Sequence, residues 1–204
     1  LVLTVILAAT GLTLAAQEII KLPPVRKAGG KPLMECLSER KSERSFSSKE
    51  LTPQQLSDLL WAAFGINRGD GRRTAPTAKN WREFNIYAAM KSGAYLYDAE
   101  KHELQRVTEK DIRATCGLQP FHATAPVDLI FVADQNRMTG SQGDRNFYAA
   151  VDCGYISQNV YLYCASEGLS TVACGWIDRK KIAEALGLQD NLKVILTQPV
   201  GYRE

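Results

Sequence analysis

Apolar positions along this chain alternate between helical and strand spacing in short blocks. Leu56, Leu59, Leu60, Ala63 and Phe64 recur at three- and four-residue steps, which is the stripe of an amphipathic helix. Thr52-Pro53-Gln54-Gln55 in front of them supplies a capping threonine, a proline at the first helical position and a glutamine that completes a capping box. Gly65 ends that helix. Before it, Met34-Glu35-Cys36-Leu37-Ser38-Glu39 predicts a first helix from about Leu33 toward Arg44. Residues 84–90 read as a strand, and 93–98 with 103–107 as a hairpin turning at Ala99-Glu100-Lys101. Thr108-Glu109-Lys110-Asp111 has the cap and acids of a short helix. Residues 126–133 are apolar except for Asp128, close to what a strand buried on both faces requires.

Residues 145–167 form a longer helical block in which Val151, Tyr155, Ile156, Val160, Tyr161, Tyr163 and Cys164 spread over much of the cylinder. A helix apolar on several faces must be enclosed on several sides. In a chain this small a second copy is the simplest enclosure, so a homodimer with a helical interface is expected. The aromatic residues of this helix are assigned to packing. Asp178-Arg179-Lys180-Lys181 then opens a helix through Leu186, and 193–197 is a final strand. Interleaved helices and strands predict an α+β fold whose central, mostly antiparallel sheet is flanked by helices.

Residues 1–16 form an uncharged apolar run ending in small residues before Gln17-Glu18. This reads as a secretory signal, too short for a comfortable membrane-spanning helix, and implies export to the bacterial periplasm. An uncleaved anchor or a buried N-terminal helix is the alternative, in which case the protein is membrane-tethered or cytoplasmic. Residues 17–32, rich in Pro, Gly and basic residues, are expected to be a linker or extended arm, leaving 33–204 as one domain.

Composition narrows the chemistry. With 45% hydrophobic and 23% charged residues and a formal charge of +3, the 204-residue chain is that of a globular domain with no basic excess calling for nucleic acid. Five cysteines, Cys36, Cys116, Cys153, Cys164 and Cys174, include no close pair, and the two histidines, His102 and His122, stand apart from them. Neither a disulfide framework nor a metal site is expected. His102 falls in a predicted turn and His122 reads as a surface or loop residue. Phosphate-loop, dinucleotide-fingerprint, nucleophile-elbow and zinc-protease motifs are all missing. Chemistry in such a chain falls to a bound cofactor.

The densest candidate is Arg40-Lys41-Ser42-Glu43-Arg44-Ser45-Phe46. On a helix, Arg40 and Arg44 lie one turn apart and can share one anion, with Ser42 adding a hydroxyl. A solvated basic helix end is the plain alternative.

This segment resembles the Arg-Arg-Ser-x-Arg-x-Phe signature of the FMN-dependent nitroreductase family, which includes a branch of peptide-azoline oxidases; Lys41 stands where the second Arg is expected. Arg73-Thr74-Ala75-Pro76-Thr77-Ala78-Lys79-Asn80 is similar to that family's Pro-Ser-x-x-Asn loop, and residues 167–176 to its Glu-Gly-Leu-Gly-Thr-x-x-x-Gly segment. Pro199-Val200-Gly201-Tyr202 resembles its closing strand. The four matches come in the family's order.

The resemblance implies a nitroreductase-like α+β homodimer that holds FMN at its interface. Arg40, Lys41, Ser42 and Arg44 would grip the phosphate and ribityl oxygens, supplemented by Arg203. Pro76, Thr77, Ala78 and Asn80 of the partner subunit would line the pyrimidine edge. Ala173, Cys174 and Gly175 would place backbone amides beside the reactive nitrogen. No side chain is expected to be catalytic in its own right. Implied activity is transfer of a hydride or electron pair from a reduced donor such as NAD(P)H to a planar electron-poor small molecule, a nitroarene or quinone. Oxidation of a peptide or small heterocycle, and flavin binding without turnover by an exported protein, are the alternatives. Residues 79–85 depart from the azoline-oxidase pattern, and Trp81 there either stacks on an aromatic substrate or packs at the dimer seam.

Overall fold

β5 (Val127–Asp134) explains the layering of the fold. Seven of its eight residues are buried, and its side chains alternate between two apolar clusters as a strand's period of two requires. Val127, Leu129, Phe131 and Ala133 join one cluster with α2 (Pro53–Phe64) and α4 (Gln142–Glu167), while Ile130 and Val132 join the other with α5 (Arg179–Leu186). A computed structural model describes residues 18–204; the apolar run 1–16 lies outside the described residues. The sheet is antiparallel throughout, with strand order β1-β4-β3-β2-β5-β7-β6. The remaining strands are β1 (Ile19–Lys21), β2 (Phe84–Met90), β3 (Gly93–Asp98), β4 (Glu103–Thr108), β6 (Ser170–Thr171) and β7 (Leu192–Gly201), and the remaining helices α1 (Leu33–Glu39) and α3 (Phe121–Thr124).

Local chemistry explains several element ends. The Thr52 side chain accepts from the Gln55 amide and Gln55 returns the bond, the reciprocal capping box expected for α2. α4 begins on a second such box, Ser141 with Asp144, and ends at Gly168 with φ 67°, a left-handed conformation that suits glycine. Asp178 caps α5.

Four expectations are corrected. The first helix stops at Glu39 rather than running to Arg44: Arg40 leaves at φ −55°, ψ 122°. α1 has only seven residues, one of them buried and no side-chain N-cap, so it propagates weakly. The chain beyond it is held extended by Glu43 N–H donating to Thr171 O at 3.0 Å and Ser47 N–H to Tyr202 O at 2.9 Å. The short helix expected at Thr108 is displaced to a 3₁₀ turn at Arg113–Thr115, because Thr108 closes β4 and its hydroxyl accepts from Lys110 in a local turn.

Residues 17–32 are not a free linker. β1 pairs with β4, Arg26 Nε donates to Asp58 at 2.7 Å, and Ser57 Oγ donates to Pro23 O at 2.6 Å. His102 braces this arm, with Nε2 2.7 Å from Ser57 Oγ and Nδ1 2.9 Å from Tyr97 OH. His122 is not a surface residue. It is fully buried on α3, with Nδ1 against the equally buried carboxyl of Asp128 on β5. It sits so close under Gly117 that an added Cβ there would come within 2.0 Å of Nε2.

A second buried acid supports the loop before β2. The Asp152 carboxylate on α4 accepts the Ala78 amide at 2.8 Å. Glu83, also buried, lies beside Asp152; burial above all, and then this neighbour, push its pKa up to about 8 against the opposing pull of a backbone hydrogen bond and, more weakly, the charge of Arg137. Below pH 4.5 both native and unfolded Glu83 are protonated. Between 4.5 and about 8 the unfolded chain releases the proton and the native one keeps it. Stability is therefore predicted to fall as pH rises through that window, by at most about 1.4 kcal/mol per pH unit. Urea unfolding of wild type and Glu83→Gln across the window measures the difference, and parallel stability curves would exclude the effect.

Candidate functional site

Tyr161, on the last third of α4, is where three separate stretches of chain meet. Its hydroxyl lies 2.8 Å from Ser42 Oγ and accepts the Ala173 amide at 2.9 Å, while the Arg40 guanidinium stands 5.2 Å from its ring centroid. The extended segment after α1 is thereby tied to the strand region after α4. Between them opens a cavity of about 450 Å³ whose wall includes Arg40, Lys41, Glu43, Tyr161, Thr171 and Arg203.

Its charges are ordered by one carboxylate. Glu43 Oε1 pairs with Lys41 Nζ at 2.6 Å and lies 4.0 Å from Arg203 Nη1. The Lys41 hydrogen bond, then the charges of Lys41 and Arg203, hold the Glu43 carboxyl below its ordinary range. Two cations are thus fixed at the mouth while Arg40 forms no ion pair among the described residues. Guanidinium and ammonium donors in that arrangement suit a phosphate.

Here the expected geometry is corrected. Arg40 and Arg44 do not share one anion on a helix face, because the backbone leaves the helix at Arg40 and residues four apart in an extended chain stand roughly 13 Å from one another instead of one helical turn. Arg44 is outside the cavity wall and its charge instead acts on Cys174. Ser42 turns to Tyr161. The partner that joins Arg40 and Lys41 is Arg203, brought in by the end of β7.

Of the three amides expected to face a ligand, two are already engaged: Ala173 with Tyr161 OH and Cys174 with Thr197 O at 2.8 Å. Gly175 N–H has no partner among the described residues. Cys174 is buried and burial pushes its thiol up to about 12, so it is not a thiolate at neutral pH.

Pro76, Thr77, Ala78 and Asn80 lie elsewhere. Pro76, Thr77 and Asn80 line a separate cavity of about 240 Å³ with Arg68, Arg72, Arg73 and Arg82, and Ala78 is turned to Asp152. One chain by itself does not bring this loop to the Arg40 cavity. Trp81 meets Tyr148 of α4 edge-on at 5.8 Å, a contact within the chain, and also lines a cavity of about 430 Å³ beside Arg73 and Arg82.

Sequence reasoning missed Tyr161, assigned to packing with its aromatic neighbours, and Glu43. A polar hydroxyl on a helix otherwise committed to apolar contacts was the available signal. α1 and α4 also leave an apolar face uncovered: Met34 is 74% and Phe147 62% exposed, with Leu33, Leu37, Val151 and Tyr155 beside them.

Relatives agree with this architecture. A crystal structure from Ralstonia eutropha, provisionally named a nitroreductase, superposes with a TM-score of 0.87 at 40% identity, covering 91% of this chain and 90% of its own. A Methanocaldococcus jannaschii protein with a similarly provisional nitroreductase name is 33% identical over 195 residues, 90% of this chain and 96% of that protein. A more distant Bacteroides thetaiotaomicron structure, named for NADH dehydrogenase/NAD(P)H nitroreductase, shares the fold at a TM-score of 0.60 and 19% identity, covering 86% of this chain and 88% of that one. Residues 37–202, from the helix before Arg40 to the strand that delivers Arg203, match the model of the nitroreductase family, and the chain belongs to that family of oxidoreductases.

Proposed function

We propose that the protein is an FMN-dependent oxidoreductase that works as a homodimer, passing a hydride or electron pair from NAD(P)H to a planar, electron-poor acceptor of the nitroarene or quinone class. The observation that carries this is the Arg40, Lys41 and Arg203 cluster on one cavity of about 450 Å³, tied through Tyr161 to the 173–175 segment. The residues present fit the cofactor: cationic forks for a phosphate at one end, and a backbone amide free at Gly175. Flavin, when bound, supplies the two-electron chemistry. Arg40, Lys41 and Arg203 would hold its phosphate, with Glu43 keeping the last two cations from repelling one another. Gly175 N–H would stabilise negative charge growing on the ring. Nothing in the chain is asked to serve as acid or base, in line with His122 being sealed in the core and His102 bracing the arm. The donor class is supported by the name of the Bacteroides relative.

The homodimer is supported by the uncovered face of α1 and α4. Phe147, Val151 and Tyr155 recur at four-residue steps on α4 and remain exposed, a stripe that a second copy would bury. The same association would bring the Pro76–Asn80 loop of one subunit toward the cavity of the other, which a single chain does not achieve.

Three measurements test this reading. Protein lacking residues 1–16 should sediment as a dimer and acquire the visible absorbance of bound FMN; a folded dimer that takes up none refutes the cofactor. Arg40→Ala should weaken FMN binding by about 1.5–3 kcal/mol, roughly ten- to hundredfold in Kd, through loss of charge-assisted hydrogen bonds. Tyr161→Phe removes the link between Ser42 and Ala173, and costs one half-buried amide its acceptor. It is expected to weaken FMN binding about three- to tenfold, read by fluorescence titration; unchanged affinity would make Tyr161 purely structural.

A further inference from the structure

We propose that the arginine-walled cavity beside Pro76 and Asn80 is a second anion site that takes a diphosphate or similar phosphorylated group, and so selects a phosphorylated reactant. Four guanidiniums, Arg68, Arg72, Arg73 and Arg82, line about 240 Å³ with no carboxylate in the wall. Like charges are gathered there without being neutralised. Among the described residues only Arg72 of the four has an ion-pair partner, Asp70 at 3.2 Å, and both side chains are more than half exposed. The others spend their donors on neutral acceptors: Arg68 on Asn67 Oδ1 at 3.1 Å, Arg82 on Asn80 Oδ1 at 3.3 Å and Gly71 O at 3.2 Å, and Arg73 on Phe64 O at 3.4 Å.

Arg73 is the innermost. Its guanidinium lies 5.3 Å from the Phe64 ring centroid, and its Nε is buried with no hydrogen-bond partner. Burial, with the charges of Arg82 and Arg137, holds its pKa down against weaker support from Tyr97 and Glu100. An arginine stays charged regardless, so the cost persists until an anion arrives. Backbone in and beside the wall is also conformationally strained. Lys79, Asn80 and Arg82 have φ of 50°, 55° and 51°, where a non-glycine residue costs on the order of 1 kcal/mol. The strain is maintained by the Asp152 bond to Ala78 and by Arg82 N–H donating to Thr77 Oγ1 at 3.0 Å.

An adjoining cavity of about 430 Å³ shares Arg73 and Arg82 and adds Trp81, Phe84 and Tyr97, but also Asp98 and Glu100. Those acids make it the wrong place for phosphate, while its rings offer surface for the organic part of the same molecule. Planar forks match phosphate oxygens two at a time, and several forks around a small space favour the adjacent charges of a diphosphate. The binding claim stands on this cavity alone; that the ligand is a reactant rests on the flavin reading above.

The test is calorimetric titration of inorganic pyrophosphate into full-length protein kept saturated with FMN. Wild type should bind, and Arg68→Glu with Arg72→Glu, both at exposed positions, should weaken binding at least tenfold. Lys180→Glu on the far surface of α5 should leave it unchanged. No binding by wild type, or an equal loss with Lys180→Glu, overturns the proposal, and malonate binding as tightly as pyrophosphate overturns its phosphate selectivity. Repeating the titration in Arg40→Ala removes the first cavity as a competing site. If the protein takes up no FMN yet pyrophosphate binding still depends on Arg68 and Arg72, the flavin reading fails and this site stands. Retained FMN with no pyrophosphate binding gives the reverse.

Discussion

Burial of β5 on both faces is the constraint from which the rest of the fold follows. A strand with apolar side chains on both sides needs cover above and below, and the chain provides α2 and α4 on one face and α5 on the other. Its antiparallel partner β7 then runs along the whole strand, pairing from Leu192 to Val200. That places the chain end at the site: β6 joins the far edge of β7, and Tyr202 and Arg203 come to lie beside the segment after α1. Residues 160 positions apart share a cavity wall because one strand had to be covered.

Within that frame, charge is organised by short local devices. Glu43 sits between Lys41 and Arg203 and lets two cations stand near each other. Tyr161 replaces a longer side chain's reach with a single hydroxyl that serves Ser42 and Ala173 together. Around Arg73 no such carboxylate is provided in the cavity wall. The two cavities therefore differ in electrostatic character although both are rich in cations: one is internally compensated at its mouth, the other is not. Backbone strain leans the same way: of four left-handed non-glycine residues among the described residues, Asn80 and Arg82 line the second cavity and Lys79 adjoins it, while His102 lies in the turn between β3 and β4.

How far these features could be read beforehand depends on the range of the interaction that sets them. The capping box of Thr52 and Gln55, the hairpin between β3 and β4 and the largely apolar run of β5 rest on contacts within a few residues, and the structure has them where they were expected. The extension of residues 40–46 rests on amide bonds to Thr171 and Tyr202, more than a hundred residues away, and a helical reading of that segment failed for this reason. His122 was misjudged similarly, since Pro120-Phe121 beside it resembles a loop and only the packing of α3 against β5 reveals Asp128 as its partner. β1 is three residues long, too few to show a period at all.

The sequence alone determined the α+β arrangement, the family and a few of the residues that face the two cavities, Arg40, Lys41 and Arg203 in one and Pro76, Thr77 and Asn80 in the other, because apolar periodicity, caps and short motifs are written in neighbouring positions. Tertiary structure alone decided which cations act together. It separated Arg44 from Arg40, put Arg203 in its place, made Tyr161 the joint between two motifs and gathered four arginines without a counter-charge in the cavity they line. Those outcomes depend on strand register and helix packing, where a shift of one residue reverses the direction of every side chain.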